Sequence, residues 1–400
     1  MRILITSPVF PPDLGGPAVY VPSVARFLLE RGHEVKVVAF CSEDEPKGHP
    51  FAIIAIPRGP LPIRYLKAFF AVLREAKGQD VVYVQEHLAL FHVLAAKLRG
   101  VPAVIRMMVD GAWEISHRKG WIDGDDIVTF ETKEYGAAVK LARALQKIWW
   151  GWCERIISCS EFLRQIAIQR YGQAPDKVRL IHNAHHGPGA ESVSETPHAA
   201  KVALGLDPAQ RYVLTICRLM VWKRVDGILR AMADGPENAV LLVAGDGDML
   251  EPWQALANEL KMAHRVKFLG NVPHAKIPLF IRAADVFVLN SEYEGLSHTL
   301  LEVITLGTPA IATGVCGNPE VVEHEVNGLL VPPGDDAGLR AAILRLLGDG
   351  ELRARYAAAG RAKAKQFTRA ATFPLVEETL AQAAGIELAR STPMVRSAQP

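Results

Sequence analysis

Short apolar runs alternate with longer segments of helical periodicity, and this alternation most limits what the chain can fold into. The runs are rich in Val and Ile and apolar almost throughout, as is typical of parallel strands buried on both faces. A strand followed by a helix, repeated, predicts crossover units and an open parallel sheet. In the first half the predicted strands are residues 2–6, 34–40, 51–56, 80–85, 102–108, 155–159 and 177–182. The predicted helices between them are residues 18–31, 62–77, 89–99, 135–152 and 161–170.

The alternation lapses at residues 187–197, which are rich in Gly, Pro, Ser, Thr and Glu and are interpreted as a linker. It then restarts, with predicted strands at 212–217, 239–244, 266–269, 285–289, 309–312 and 328–331 and late helices at 336–347, 352–366 and 371–384. The chain has 400 residues, and domains average about 150.

We therefore predict an α/β protein with two doubly wound, Rossmann-like domains, residues 1–190 and 191–370, that face an interdomain cleft. A helix at 371–390 and a disordered tail at 391–400 would complete the chain. Ligands of such sheets bind beyond the carboxyl ends of the strands, so the cleft is the predicted binding site.

Charge and cysteine content exclude several classes of protein. Lys and Arg number 45 against 43 Asp and Glu, a net charge of +2 that gives no reason to expect a nucleic-acid partner. The five cysteines form no C-x-x-C pair, which predicts reduced thiols and a cytoplasmic protein. We expect neither a secretory signal nor a membrane-spanning helix, because no uncharged apolar run reaches about 18 residues.

Two glutamates in the segment SEYEGLSHTLLE (291–302) are the strongest chemical signal. Glu294 is predicted in a loop directly after a strand, and Glu302 about one turn inside the next helix. The N-terminus of that helix, near Ser297 and Thr299, suits a phosphate. A carboxylate one turn inside can accept two hydrogen bonds from a vicinal diol such as ribose, while Glu294 can reach a sugar ring. The alternative is that both glutamates cap or solvate the helix.

Arg218 and Lys223 follow a predicted strand and lie five residues apart. Two cations in such a loop can hold a diphosphate and neutralise charge that develops on it, although they can also be a solvated surface pair. Gly15 and Gly16 would let the backbone approach a ligand, or would form a plain turn. Their spacing is not the G-x-G-x-x-G fingerprint of a dinucleotide site.

We predict no metal site. The D-x-D sequences at 123–125 and 246–248 are short enough to occur by chance. His182, His185 and His186 have no carboxylate or thiol ligand nearby in the sequence, so they are interpreted as part of a linker.

The joint order of several motifs resembles the retaining glycosyltransferases of family GT4, which have the GT-B fold. The motifs are FLGNVPH (268–274), AADVFVL (283–289), the Glu294 and Glu302 segment, GTPAIAT (307–313), NPEVV (318–322) and NGLLV (327–331). The resemblance covers nearly the whole chain. It implies an acceptor-side domain over 1–190, a nucleotide-sugar-binding domain over 191–370, and a final helix that returns to the first domain.

The resemblance also implies roles for individual residues. Glu294 would stabilise the cationic transition state, Arg218 and Lys223 would hold the donor diphosphate, and Glu302 would hold the ribose. The backbone near Asn271 and Val272 would face the nucleobase. The positions implied for donor binding are Gly15, Gly16, Asn271, Val272, Leu296, Ser297, Thr299 and Glu302.

The chain departs from the family after the strand predicted at 102–108. Many members carry a histidine there, whereas this chain reads MVDGAWE (108–114), as a subgroup does. Asp110 and Trp113 are our predicted acceptor-side substitutes. Residues 111–134 lack clear periodicity and are expected to form a long functional loop. Trp113 and Trp121 could stack on a sugar there, or could pack the loop down.

The implied activity is metal-independent, retaining transfer of a hexose-type sugar, as in polysaccharide biosynthesis. The donor would be a nucleoside-diphosphate sugar that serves as co-substrate, with no other cofactor. The acceptor would be a hydroxyl of a glycan, a lipid-linked molecule or a small molecule. The alternatives are a nucleotide-sugar 2-epimerase on the same fold and a catalytically weakened sugar-nucleotide-binding protein. A dinucleotide oxidoreductase is disfavoured by the missing fingerprint.

Two basic helices raise the possibility of peripheral contact with the inner membrane face. Residues 62–77 place four cations around an apolar face formed by Leu66, Phe69, Phe70 and Leu73. Residues 135–152 place Leu141, Leu145, Ile148 and Trp152 on one face, with Lys140, Arg143, Lys147 and an exposed Trp150 on the other. Basic residues beside an exposed Trp can bind anionic lipid. The favoured alternative is an ordinary helix that packs on a sheet and keeps a solvated basic face.

Overall fold

The computed structural model describes residues 1–13, 15–42, 46–85, 89–185, 193 and 195–388. It divides into two compact units. The first comprises Met1–Arg106, Leu145–Ile157 and the chain from Phe373, and the second comprises Met107–Ala144 and Ser158–Thr372. Most of the predicted linker, His186 and the predicted tail at 391–400 lie outside the described residues. The domain limits drawn from the sequence stay predictions.

The first sheet has seven strands within the described residues, in the order β3-β2-β1-β4-β5-β6-β7. β1 pairs in parallel with β2 and β4, β2 pairs with β3, and β4 pairs with β5. The strands are β1 Arg2–Ser7, β2 Glu34–Cys41, β3 Ala52–Pro57, β4 Val81–Val84, β5 Ala103–Met107, β6 Arg155–Ser158 and β7 Val178–Leu180. The helices are α1 Gly16–Glu30, α2 Leu61–Glu75, α3 Leu90–Leu98, α4 Gly111–Arg118, α5 Ile127–Thr132, α6 Ala137–Trp152 and α7 Glu161–Gln165, which continues as a π-helical turn, Ile166–Arg170.

The second sheet has six parallel strands within the described part of the chain, in the order β10-β9-β8-β11-β12-β13. They are β8 Arg211–Ile216, β9 Ala239–Ala244, β10 Val266–Gly270, β11 Val286–Leu289, β12 Ala310–Thr313 and β13 Gly328–Val331. The helices are α8 Pro197–Ala203, α9 Val225–Ala233, α10 Leu250–Glu259, α11 Ile277–Ala283, α12 His298–Leu306, α13 Asn318–Val321, α14 Asp336–Gly348, α15 Gly350–Ala364 and α16 Arg369–Ala384. The prediction of two Rossmann-like parallel sheets is confirmed.

Burial explains why these runs form strands. Every residue of β9, β11 and β12 is buried, and these strands are built from Val, Leu, Ile, Ala, Phe and one Thr. The strand order reverses between β8 and β11: β9 and β10 lie on one side of β8, and β12 and β13 lie beyond β11. The loops that follow β8 and β11 therefore diverge and leave a crevice at the carboxyl ends of the two strands.

Residues 111–134 are not the long loop that was predicted. They contain two short helices, each begun by an aspartate that caps the free backbone amides. Asp110 accepts hydrogen bonds from the amides of Ala112 (2.8 Å) and Trp113 (3.1 Å). Asp126 accepts one from the amide of Thr129 at 2.6 Å. Because α4 has eight residues and α5 has six, neither is long enough to leave a clear helical period in the sequence.

The orientation predicted for α6 was wrong. Arg143, Trp149 and Trp150 are buried, whereas Leu141, Leu145 and Ile148 are exposed. Arg143 is stabilised inside by the ring of Phe130, 3.9 Å from its guanidinium carbon, and by the Phe130 carbonyl, to which it donates a hydrogen bond. The helix thus buries Arg143 and two tryptophans and leaves aliphatic side chains exposed. No helix in the described part of the chain has the length and apolar character needed to cross a membrane.

The end of the chain packs within the first unit. The ring of Phe373 meets Tyr20 and Phe27, with centroids 5.8 and 5.5 Å apart. Glu377 is buried and accepts a hydrogen bond from Arg31 Nε at 3.1 Å. A buried carboxylate without such a partner would be costly, so the contact fixes where α16 lies on α1.

Buried acids fix α4 and α5 in the second unit. The Tyr171 hydroxyl donates to Asp110 Oδ2 at 2.8 Å, and Asp110 is fully buried. Burial, with the nearby Asp110 charge as a second cause, raises the pKa of Glu131 to about 8. Glu131 is therefore mostly protonated at neutral pH, where two adjacent buried negative charges would repel each other.

Glu131→Gln should flatten the dependence of stability on pH. The stability that comes from the protonated Glu131 carboxyl is fully present below about pH 4.5 and is lost as the pH rises through about 8. At pH 8.5 we expect the variant to have a free energy of unfolding about 4 to 5 kcal/mol above that of the wild type, measured with urea. Glu134→Gln, an exposed neighbour, is the matched control and should change little. Equal pH profiles for wild type and Glu131→Gln would contradict this account.

Candidate functional site

A pocket of about 400 Å³ opens at the carboxyl ends of β8 and β11, within the second unit. Its lining includes seven of the predicted site residues: Trp113, Arg218, Lys223, Glu294, Leu296, Ser297 and Thr299. Another part of its wall comes from the segment that follows β5: Met108, Val109, Trp113, Glu114 and Arg118. Separate sequence segments thus converge on one cavity of the size that small-molecule ligands occupy.

Glu294 is held by two donors. Lys223 Nζ lies 2.5 Å from Glu294 Oε1, and the Ser291 hydroxyl donates to the same oxygen at 3.0 Å. The side chains of Glu294 and Lys223 are only 12% and 16% exposed. Glu294 and Lys223 therefore form a charge-assisted hydrogen bond on the pocket wall. Their partial burial strengthens this interaction, because less water screens the two charges.

Two glycines allow the backbone around Glu294 to pack closely. A Cβ on Gly295 would lie 2.2 Å from the Met108 carbonyl oxygen, and one on Gly317 would lie 2.1 Å from the Gly295 carbonyl oxygen. A larger residue at either position would push these segments apart. The Gly317 amide also donates to the Glu294 carbonyl at 3.1 Å. These contacts hold the Glu294 loop in place.

The N-terminus of α12 adds positive potential to the pocket. Ser297 caps this helix and accepts a hydrogen bond from the Leu300 amide at 3.2 Å. Asn183 donates to the Leu296 carbonyl at 2.9 Å, which fixes the residue before the cap. His298 and Thr299, the first two residues of the helix, line the pocket. The start of a helix favours anions through its partial positive charge and first-turn amides.

Arg218 is the second cation of the pocket. Its side chain is exposed, and none of the residues that the structure describes forms an ion pair with its guanidinium. Lys223, by contrast, is already paired with Glu294. Arg218 is therefore the basic group that can bind an incoming anion without first giving up a carboxylate partner.

Glu302 lies apart from the pocket lining, within α12, and is buried. Its Oε1 is 3.6 Å from His274 Nε2, and Glu302 raises the pKa of His274 above its ordinary value. Asn271 and Val272 lie in the turn between β10 and His274, also outside the pocket lining. The His274 contact brings this turn to Glu302, a link that the sequence did not reveal although both residues belong to family motifs.

The structure separates the two predicted acceptor-side residues. Asp110 does not line the pocket, because its carboxylate caps α4 and accepts from Tyr171. Trp113 does line it, with its ring 4.7 Å from that of Tyr293 and its indole nitrogen donating to the Asp125 carbonyl at 3.2 Å. Gly15 and Gly16 lie at the start of α1 in the first unit. Their predicted ligand contacts stay predictions.

Sequence reasoning missed several lining residues. Glu114 and Arg118 form an ion pair of 2.5 Å along α4, and Trp222 and His298 also line the pocket. The Trp222 ring meets His117 at 5.2 Å between centroids. The four-residue spacing of Glu114 and Arg118 was a usable signal, but it has meaning only once residues 111–118 are known to be helical.

His182 has a partner other than a metal. Its Nε2 lies 2.8 Å from Glu320, whose carboxylate also accepts from the amide of Glu161 at the start of α7. Within the ranges that the structure describes, no three His, Cys, Asp or Glu side chains come together as a metal site would require. The absence of a metal from the reaction stays a prediction.

Comparisons with known proteins point in one direction. Residues 14–185 match the model described as Glycosyltransferase Family 4, and residues 199–363 match the model described as Glycosyl transferases group 1. A D-inositol 3-phosphate glycosyltransferase of Mycolicibacterium gilvum is 30% identical over 356 residues, which cover 82% of this chain and 76% of that protein.

Solved structures agree on the fold. Sucrose-phosphate synthase of Thermosynechococcus elongatus superposes with a TM-score of 0.79 at 20% identity, covering 96% of this chain and 99% of that one. HepE of Anabaena, in complex with UDP-glucose, gives 0.74 at 19% identity, covering 96% of this chain and 100% of that one. The resemblance read from the motifs is confirmed, and the chain belongs to the group 1 glycosyltransferases, with a family 4 domain in its first half and the GT-B fold.

Proposed function

We propose that this glycosyltransferase moves a hexose-type sugar from a nucleoside-diphosphate sugar to an acceptor hydroxyl, with retention at the anomeric carbon and without a metal ion. The observation that carries the proposal is the ion pair between Glu294 and Lys223. It lines a pocket that is also lined by Arg218 and by the N-terminus of α12. The cations and helix amides suit a substrate whose leaving group is negative. The carboxylate suits the positive charge that develops on the carbon from which this group departs. The neighbouring fold of HepE, which contains UDP-glucose, supports a donor of this class.

Arg218, Lys223 and the first-turn amides of α12 would bind the diphosphate. In the reaction the bond between the anomeric carbon and the β-phosphate oxygen breaks, and negative charge moves onto the diphosphate. Preorganised cations and helix amides stabilise that charge without reorganising, which lowers the barrier without a divalent ion.

Glu294 would stabilise the positive charge that develops on the sugar ring. Lys223 and Ser291 hold the carboxylate in one place before the donor arrives, which avoids an ordering cost in the transition state. The acceptor oxygen would attack from the face that the diphosphate leaves. Its proton would pass to the departing phosphate oxygen, so that configuration is retained without a covalent enzyme intermediate.

Glu302, Asn271 and Val272 would bind the nucleoside, with Glu302 accepting from the ribose diol. Glu302 is buried, and its Oε1 lies 3.6 Å from His274 Nε2 on the turn that carries Asn271 and Val272. Gly15 and Gly16 would contribute backbone close to the donor.

The acceptor would bind beside α4. Trp113 presents an aromatic ring to the pocket, on which a glycan, a lipid-linked sugar or a small polyol could stack. Arg118 lines the same wall and suits an acceptor that carries an anion, as the inositol phosphate of the Mycolicibacterium relative does. Asp110 would act from behind this wall, by capping α4 and so positioning Trp113 and Glu114.

We place the enzyme in the cytoplasm, with peripheral contact at the inner membrane face. None of the five cysteines, which all lie among the described residues, forms a disulfide, as a reducing compartment requires. The acceptor class named above includes molecules anchored in that membrane.

Glu294→Gln should lower kcat by about 100-fold or more, because the neutral amide stabilises the cationic transition state poorly. Binding of the nucleoside diphosphate, measured by calorimetry, should stay within a few-fold of the wild type, since Lys223 remains. Glu292→Gln is the matched control: Glu292 lies in the same loop but pairs with Arg224 outside the pocket. Full turnover by Glu294→Gln, with retention shown by NMR of the product, would refute this role.

Arg218→Ala should weaken the affinity for a nucleoside diphosphate about tenfold or more, because one charge-assisted contact to phosphate is lost. The affinity for the nucleoside without phosphates should not change. Arg230→Ala, which removes an exposed arginine paired with Asp226, is the control and should leave both affinities unaltered. If nucleoside and diphosphate lose affinity equally, Arg218 does not bind the phosphates.

Glu302→Gln should lower the pKa of His274 toward its ordinary value of about 6.5. The hydrogen bond and charge of Glu302 raise the pKa of His274 in the wild type. The stabilising contact is therefore fully present below the ordinary pKa and is lost as the pH rises through the raised one. Imidazole NMR titration measures both values. An unchanged His274 pKa in Glu302→Gln would show that the two groups do not interact.

A further inference from the structure

Helix α2 of the first unit presents large apolar side chains to solvent. Ile63, Leu66 and Phe70 are 55%, 54% and 57% exposed. Among the residues of this helix whose burial is described, Ala68 and Val72 are the buried ones, while Tyr65, Phe69 and Leu73 are half-buried. An amphipathic helix that only packs on a sheet has the opposite distribution, with its largest apolar groups inside.

Two further helices of the first unit share this feature. On α3, Phe91 and Leu98 are exposed, and in the part of α6 that belongs to this unit Leu145 and Ile148 are exposed. The exposed set is Ile63, Leu66, Phe70, Phe91, Leu98, Leu145 and Ile148, which we call the apolar face. Single exposed apolar residues need no explanation, but seven on three helices of one unit do.

The residues of the apolar face lie on one side of the first sheet. The connections from β3 to β4, from β4 to β5 and from β5 to β6 all step in the same direction through the strand order, so right-handed crossovers place α2, α3 and α6 on the same side. Side-chain contacts join neighbouring helices: Tyr65 lies 6.1 Å from Phe91 between ring centroids, and Lys97 Nζ lies 4.9 Å from the centroid of Trp152.

The charge around the apolar face is almost entirely positive. On α2, Lys67 and Arg74 are exposed on the same helix surface as Leu66 and Phe70, followed by Lys77. Lys97 of α3 and Lys147 of α6 are also exposed. Neither α3 nor α6 contains an acidic residue, and the one acid of α2, Glu75, is paired with Lys36 and Arg74.

A groove extends the apolar face to the edge of the sheet. It has a volume of about 440 Å³ and lies between α2 and the edge strand β3. Ile54, Ile56 and Phe70 line it, together with Lys67 and Arg74. An apolar furrow bordered by two long cationic side chains fits one hydrocarbon chain with an anionic group at its head.

We propose that the apolar face docks on an anionic lipid bilayer, with α2 lying in the interface. This inference deepens the proposed peripheral location and does not depend on the proposed chemistry. Apolar side chains entering the headgroup region, ringed by Lys and Arg that contact anionic lipid, form the usual arrangement of an interfacial helix. The charge argues against a second copy of this chain as the occupant, because a two-fold contact would bring like-charged rims together.

Vesicle sedimentation of the full chain tests the proposal. Vesicles of phosphatidylcholine alone are compared with vesicles containing phosphatidylglycerol, at low and high salt. We expect binding to the anionic vesicles, weakened by salt, and little binding to the neutral ones. The double variant Leu66→Glu/Phe70→Glu should bind about tenfold more weakly or worse, and Lys67→Gln about fivefold more weakly. The matched control, Val202→Glu/Val326→Glu, alters exposed valines of the second unit and should bind like the wild type.

Two further measurements separate this proposal from the proposed function. Donor affinity and thermal stability should be the same in both double variants as in the wild type, which would show that each variant is folded. Equal binding of the wild type and Leu66→Glu/Phe70→Glu to anionic vesicles would overturn the proposal. The proposal would also be overturned if the wild type bound no vesicles but self-associated in sedimentation velocity, and if this variant abolished the self-association. Loss of transfer to a soluble acceptor in Glu294→Gln bears only on the chemistry.

Discussion

The reversal of strand order between β8 and β11 is the constraint on which the site depends. Because the chain leaves these neighbouring strands in opposite directions, the loops after them cannot close over the sheet. One loop carries Arg218 and Lys223 and the other carries Glu294, so residues about seventy apart in sequence meet at 2.5 Å. The strand order thus determines where the pocket lies, and the side chains in the two loops determine which ligand groups it can bind.

The acid and base of the pocket hold each other in place through contacts within the protein. Lys223 and Ser291 orient Glu294, and the cap on α12 orients the helix that would face phosphate. Arg218 remains outside this network. A site built in this way would neutralise a diphosphate with fixed groups and would use the carboxylate for the sugar. This is consistent with transfer in which the protein supplies electrostatics and the substrate supplies the leaving group.

Much of this could be predicted from the sequence, for identifiable reasons. Parallel strands leave apolar runs, even in the half-exposed edge strand β3, so the predicted strands agree with β1 to β13 to within two residues at every end. Arg218, Lys223 and Glu294 lie in the loops that follow β8 and β11, and the end of a strand in a parallel sheet fixes where the loop after it begins. The prediction missed α4 and α5, and it found α6 but assigned the wrong face of it to the interior. Short capped helices have little periodicity, and α6 buries Arg143 on an aromatic ring, which a rule that places charge outside cannot foresee.

The contact of Gly295 with the Met108 carbonyl has a consequence for how such enzymes diverge. Main chain rests on main chain there, and Gly317 repeats the arrangement one layer further. Because backbone lies against backbone at both glycines, neither segment can take a larger residue there without displacing the other. Under the proposal that the acceptor binds beside α4, new acceptor preferences would then arise by exchanging the side chains of Trp113, Glu114 and Arg118 rather than by changing the path of the backbone.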